Sequence, residues 1–237
     1  MKSPTVFKRY ELKYLVSEAD CAALKAAMSA HMRPDVFGKS SVCSLYFDTP
    51  DRLLVRRSNE KPLYKEKLRL RSYGIATPDS TVFLELKKKF DGVVYKRRVA
   101  AAEKDAMAFL CAGAPLPRDT QIARELAYFC SFYGHLEPAM HLSYQREAYC
   151  DAENGDLRIT FDREILYRET ALSLTAQGAG AALLPPGKVL MEVKTARAIP
   201  LWLTAVLSER RLYKTSFSKY GGAYTRKEKP EGGAFVA

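Results

Sequence analysis

The chain has little of what a thiolate, disulfide or histidine-based centre requires. Its three histidines, His31, His135 and His141, form no HExxH spacing, so no transition-metal site is expected. The five cysteines, Cys21, Cys43, Cys111, Cys130 and Cys150, are odd in number, widely scattered and without a CxxC pair. That pattern argues against a disulfide framework and for a reducing compartment. Long apolar runs are also missing: none approaches the roughly 20 residues of a membrane-spanning helix. The opening "MKSPTVFKRYELKYLV" is broken by charge every few residues, which excludes a signal-peptide core. A cytoplasmic location is therefore expected. Acidic charge is in deficit as well, 27 residues against 38 basic ones, leaving a net charge of +11. Such an excess favours polyanionic partners.

What is present is mostly strand-like. "TVFKRYELKYLV" runs into Ser17, which with Asp20 forms a capping signal for the helical "SEADCAALKAAMSAHM". "SSVCSLYFDTP" reads as a strand stopped by Pro50, and "DRLLVRRSNE" as a short helix or turn. Three strands follow in "LYKEKLRLRSYG", "STVFLELKKKF" and "VVYKRRVAA", the last two joined by an Asp91-Gly92 hairpin signal. Helices are expected in "EKDAMAFLCAG" and "DTQIARELAYFCSFYG". Strands are then expected in "PAMHLSYQREAYCD", "GDLRITFDREILYR" (after an Asn154-Gly155 turn), "ALSLTA" and "KVLMEVKT". "PLWLTAVLSERR" reads as a helix with Pro200 in its first turn. With no repeat or long linker, the expectation is one domain over residues 1–237, with a core of about 5–226 and a soft tail at 228–237. The class is α+β, with a largely antiparallel sheet of about eight strands, large enough to curl or close.

Side chains alternate between the two faces of a strand, and the charges follow that alternation. In "KEKLRLRSY", Lys65, Lys67, Arg69 and Arg71 share one face. Glu11 goes with Lys13, Glu85 with Lys87 and Lys89, and Lys96 with Arg98. Tyr144 goes with Arg146, Arg158 with Thr160 and Asp162, and Glu192 with Lys194. Leu12, Tyr14, Leu84, Leu86, Ile159, Phe161 and Val193 occupy the opposite faces. A polar face in water is the common antiparallel arrangement, but such a face mixes signs freely. This one is dominated by Arg and Lys with isolated carboxylates. Should the sheet close, its charges would face a lumen that only a polyanion could neutralise. Isolated Glu residues there suit Mg²⁺ or Mn²⁺, which prefer carboxylate oxygens and bridge to phosphates. Nucleic acid is not expected, because aromatic and basic neighbours alternate onto opposite faces instead of forming a stacking platform.

The series "FKRYELKYLV", "SLYFDTP", "KLRLRSYG", "FLELKKKFDGVVYKRR", "SYQREAY", "LRITFDRE", "VLMEVK" and "SFSKYGGAY", in that order, resembles the VTC domain. This is the polyphosphate polymerase branch of the triphosphate tunnel metalloenzymes, relatives of the CYTH phosphohydrolases. The resemblance implies a closed antiparallel β-barrel tunnel with flanking helices. It implies transfer of the γ-phosphate of ATP to a growing polyphosphate chain, with Mn²⁺ or Mg²⁺ as cofactor. By the same resemblance Lys13, Arg69, Arg71, Lys87, Arg146, Arg158 and Lys219 hold phosphate in the reaction, with Arg98, Lys96, Tyr144 and Ser218 around the nucleotide. Glu192 is the principal metal carboxylate, with Glu85 and Glu11 assisting. Lys65 and Lys67 are assigned to the tunnel mouth. Lys89, Arg97 and Arg163 are read as surface charges.

Two positions depart from the family pattern. Arg9 stands where the hydrolytic relatives have the first acid of ExExK, which favours the polymerase branch. Ser216 stands where polymerase relatives tend to have a basic residue, with Lys214 as a substitute. The alternatives are a tripolyphosphatase or nucleoside triphosphatase on the same fold, or a non-catalytic polyphosphate sensor. The expected partners are ATP and polyphosphate or triphosphate, and a membrane protein encoded separately is compatible with the absence of a spanning segment.

Overall fold

The computed structural model describes residues 10–91, 93–153 and 156–228. Arg9, Gly92, the Asn154-Gly155 pair and the tail from residue 229 lie outside the described residues. The elements in chain order are β1 (Tyr10–Ser17), α1 (Glu18–Met28), β2 (Met32–Asp48), α2 (Leu53–Asn59), β3 (Tyr64–Tyr73), β4 (Thr81–Phe90) and β5 (Val93–Ala102). They continue with α3 (Glu103–Ala112), α4 (Gln121–Tyr133), β6 (Glu137–Asp151), β7 (Leu157–Arg168) and β8 (Ala181–Ala182). The last three are β9 (Lys188–Thr195), α5 (Leu201–Glu209) and α6 (Lys219–Glu228). The expected capping box is present: Ser17 Oγ accepts from the Asp20 N–H, and Asp20 accepts from the Ser17 N–H.

All nine strands belong to one antiparallel sheet in the order β1-β9-β7-β6-β2-β3-β4-β5, with β8 on β7. The sheet is open, which corrects the closed barrel expected from the sequence. Among the described residues, the edge strand β1 ladders only with β9, and the edge strand β5 only with β4. Instead of a ladder, an ion pair reaches across, with Lys87 Nζ of β4 at 3.6 Å from Glu11 Oε2 of β1. Alternation says which face of each strand is buried. Whether the edges meet depends on twist summed over the whole sheet, which no local pattern encodes.

The sheet curves into a trough with apolar packing on both surfaces. Outside, Leu45, Phe47, Leu68, Leu70, Leu84 and Leu86 pack under α3 and α4 through Phe109, Leu110, Leu126 and Phe129. A second outer cluster sets Tyr14, Val16, Ile159, Phe161, Met191 and Val193 against α1 and α5. Inside, α6 lies on Tyr46, Leu142, Tyr144, Ile165 and Leu190 through Tyr220 and Ala223. This helix was not evident from the sequence, because the Gly221-Gly222 pair lowers helix propensity by about 1 kcal/mol per glycine. Packing overrides the propensity, and α6 approaches α2 closely at Gly221. A Cβ there would lie 2.3 Å from Asn59 Oδ1 of α2, whose amide donates to the Gly221 carbonyl.

The expected strand in "ALSLTA" does not form. The Arg168 guanidinium donates to the carbonyls of Ala171, Ser173, Ala176 and Gly178, wrapping that segment around itself. A strand would have pointed those carbonyls at a neighbouring chain segment instead. Between β7 and β9, the residues that pair with β7 are Ala181–Ala182.

Candidate functional site

The inner face of the trough collects the charges that alternation placed together. Register sets Arg69 opposite Glu85, Glu85 opposite Arg98, Arg146 opposite Asp162, and Lys13 opposite Glu192. Each carboxylate becomes a hub for several cations. Glu85, whose side chain is 1% exposed, has Arg69 Nη2 at 2.7 Å, Arg71 Nη1 at 3.7 Å, Lys96 Nζ at 2.6 Å and Arg98 Nε at 3.3 Å. Burial alone would raise its pKa, but the Arg69, Arg71 and Lys96 charges outweigh that and hold it at about 2.

Glu192 is the second hub. Lys219 Nζ lies 3.0 Å away, Arg146 Nη2 and Lys194 Nζ each 3.4 Å, and Lys13 Nζ 3.9 Å. Its burial is again outweighed, here by Lys219, Lys194, Lys13 and Arg146, and its pKa falls well below the ordinary carboxylate range. Arg146 also forms a two-pronged pair with the fully buried Asp162, at 2.6 and 2.7 Å, and Lys219 reaches Asp162 at 2.6 Å. Glu11 is held at about 2, because Lys87, Lys194 and Lys13 overcome its desolvation.

The remaining expected residues fall around these hubs. Tyr144 is buried; its hydroxyl accepts from Arg71 Nη2 at 3.2 Å, and its ring lies beneath Arg146 and Lys219. Ser218 Oγ accepts from the Gly221 N–H, capping α6, and from Lys67 Nζ at 2.8 Å. Lys67 is thus tied to α6, and burial lowers its pKa to about 8. Burial likewise brings Lys96 to about 8, despite Glu85 beside it. Lys65 donates to the Ser58 carbonyl. Arg158, on the same face, pairs with Asp35 at 2.6 Å and is the register partner of Lys194. Arg97 and Arg163 pair with Glu125 and with Glu18 and Glu147, away from the hubs. Lys214, the substitute for a basic residue at Ser216, is exposed.

Three participants were absent from the sequence-derived site. Tyr46 Oη accepts from Arg69 Nη1 at 3.0 Å. Burial would raise its pKa, but Arg69, Arg71 and Lys67 bring it down to about 8. Asp162 and Lys194 complete the Glu192 hub. Alternation had placed both on the charged face, and only their partners were illegible. Three polar atoms on this face, Thr160 Oγ1, Arg158 Nε and Glu85 Oε1, are buried with no hydrogen-bond partner among the described residues, although Lys96 Nζ makes an ion pair with the last. Thr160 is the register partner of Glu192.

Basic groups therefore outnumber carboxylates on a concave, partly desolvated face, with orphaned polar atoms beside them. Such a surface is built to bind an anion with several negative groups. The described residues contain no group of three or more His, Cys, Asp or Glu able to cage a metal. That still fits Mg²⁺ or Mn²⁺, which phosphate sites hold on one or two carboxylates with the substrate oxygens completing the shell. Glu192 and Glu11, both anionic and both beside Lys13, are the carboxylates that could serve in this way. Glu85 and Glu192 each have four cationic side chains within 4 Å, which a metal would have to displace.

Comparison with known proteins agrees on the fold. A structure from Bacillus halodurans, described as a "putative adenylate cyclase", superposes with a TM-score of 0.54 over 89% of this chain and 95% of that one, at 13% identity. Another from Vibrio parahaemolyticus with the same description gives a TM-score of 0.48 at 12% identity, covering 92% and 98%. No curated protein matches the sequence. The Bacillus halodurans likeness, at 13% identity, shows the fold alone. The VTC domain model matches residues 8–226, and the chain belongs to the VTC domain family. That membership supports a phosphate-related function. No described helix is long and apolar enough to cross a membrane.

Proposed function

We propose that this protein is a polyphosphate polymerase that transfers the γ-phosphate of ATP to the end of a polyphosphate chain lying in the trough. The observation that carries the reading is the inward excess of Arg and Lys around the Glu85 and Glu192 hubs. Phosphoryl transfer asks a protein for positioning and charge neutralisation more than for covalent chemistry. Arg69, Arg71 and Arg146 suit the equatorial oxygens, because a planar guanidinium pairs bidentately with phosphate. Lys13, Lys87 and Lys219 supply point charges, and Arg158 and Lys96 extend the basic surface. Arg98, Tyr144 and Ser218 position the nucleotide phosphates.

The terminal oxygen of the chain attacks the γ-phosphorus, the bond from that phosphorus to the β–γ bridging oxygen breaks, and ADP departs with the electron pair. The attacking oxygen is already anionic near neutral pH, so no general base is required. Glu192, with Glu11, would hold Mg²⁺ or Mn²⁺, which when bound supplies further neutralisation of phosphate charge. In the absence of substrate the carboxylates keep the cations apart and oriented, and phosphate oxygens then take over those partners.

Incubating the protein with ATP and Mn²⁺ and sizing the product on a gel tests the reading. Long-chain polyphosphate is expected, lost in Arg69→Ala and in Glu192→Ala. Release of orthophosphate alone would point to a hydrolase and overturn it, and tight binding without product would point to a sensor.

A further inference from the structure

The charged column of β3 does not stop at Arg71. The next residue on that face is Tyr73, which is 49% exposed. On β4 the same step beyond Glu85 reaches Phe83, whose ring meets that of Tyr73 edge to face, with centroids 5.9 Å apart. Arg98 joins these rings to the phosphate site. Its guanidinium lies 3.5 Å over the Phe83 centroid, and its Nη2 donates to Tyr73 Oη at 3.3 Å while its Nε faces Glu85.

A further ring, Phe37, is 67% exposed and stands parallel to Tyr73, tilted by 3° with centroids 6.2 Å apart. Phe37 is held by a turn in which Asp35 Oδ1 accepts from the Phe37 and Gly38 N–H groups, with Gly38 at φ +48°. The other oxygen of Asp35 takes Arg158. Two large aromatic faces are thus kept open to solvent at the end of a column of phosphate-binding cations. Water gains nothing from such faces, whereas a flat heteroaromatic ring stacks on them.

We propose that Tyr73 and Phe37 seat the base of a nucleoside triphosphate, whose phosphates then run past Arg98 and Arg71 towards Arg69. Four residues of strand separate Tyr73 from Arg69, about 13 Å along β3, which is on the scale of the reach from a nucleobase to its third phosphate. The inference rests on the reading of the trough as a nucleotide-using phosphate site and adds which end the nucleotide occupies. The growing chain then lies beyond Arg69, towards Lys87.

Isothermal titration with a non-hydrolysable β,γ-imido ATP analogue and with inorganic tripolyphosphate separates base from phosphate recognition. Tyr73→Leu and Phe37→Leu should each weaken the analogue about tenfold, since stacking is worth about 1–3 kcal/mol per base. Tripolyphosphate affinity should stay within about twofold of wild type by the same reasoning, and Tyr73→Trp should retain the analogue. Both ligands weakening together, or neither changing in either variant, would overturn the base seat. Failure of the broader reading looks different, because the wild-type protein would then bind neither ligand.

Discussion

Glu85 sits 1% exposed among Arg69, Arg71, Lys96 and Arg98, so its charge organises four others. Removing one partner of a buried ionic cluster strands the rest. Glu85→Gln should therefore cost about 3 kcal/mol of stability in the unliganded protein. Because a polyanion can replace the missing carboxylate, tripolyphosphate should restore much of the lost melting temperature, and thermal melts with and without it check this. The depressed pKa values of Glu85 and Glu11, both about 2, add a pH dependence. Their contribution to stability is present above the ordinary carboxylate pKa and is lost as pH falls towards 2. At the alkaline end Lys67 and Lys96 lose charge through about pH 8 while Tyr46 gains a negative one. All three changes oppose anion binding, so tripolyphosphate affinity should fall as pH rises through 8. Titration calorimetry from pH 6.5 to 9.5 would expose the idea as wrong if affinity rose or stayed flat. That Arg69, Glu85 and Arg98 share a face was legible from alternation alone. Their mutual pairing was not, because it depends on which strands are neighbours.

At the scale of elements, α6 and α2 place much of the site, and Asp48 ties them together beside the direct Asn59–Gly221 contact. Asp48, fully buried at the end of β2, accepts from the Leu54 and Val55 N–H groups of α2 and from Tyr220 Oη of α6. Tyr220 in turn stacks on Tyr46 with centroids 4.5 Å apart. Asp48→Ala leaves those donors unpaired and should cost about 2 kcal/mol. It should also weaken tripolyphosphate binding, since Lys219 and Ser218 lie at the start of the displaced helix. Asp48→Asn, which keeps acceptor oxygen at that position, should recover part of both losses in denaturant titration and calorimetry. Unchanged affinity in Asp48→Ala would mean that α6 keeps its place without the Asp48–Tyr220 bond. The "YFDTP" stretch was readable as the end of a strand. Its role as a joint was not, because Tyr220 lies 172 positions away.

For the molecule as a whole, an open sheet with a net charge of +11 is held in its curve against its own repulsion. The Lys87–Glu11 pair bridges β4 and the edge strand β1. Polyanion binding should therefore tighten the curve and slow amide exchange in β1 and β5 more than in the central strands. It should also stabilise the fold by about 2.7 kcal/mol at a hundredfold excess over Kd. Affinity should drop steeply between low and physiological salt, because screening acts on the many contacts together. Hydrogen exchange with and without tripolyphosphate, repeated at two salt concentrations, measures both effects.

The sequence by itself determined most of the strands and helices, the charged face and the family, because alternation, capping and turn residues act over a few positions. It left hidden the glycine-bearing α6 and the segment wrapped around Arg168, whose conformations come from distant packing partners. Only the tertiary structure decided that the sheet stays open, that Asp162, Lys194 and Tyr46 join the site, and that the basic column of β3 ends in exposed aromatic rings. Those outcomes depend on summed twist and on the strand order, which brings residues far apart in the chain within an ion-pair distance. A periodic pattern tells which way a side chain faces, and only the assembled sheet tells what it faces.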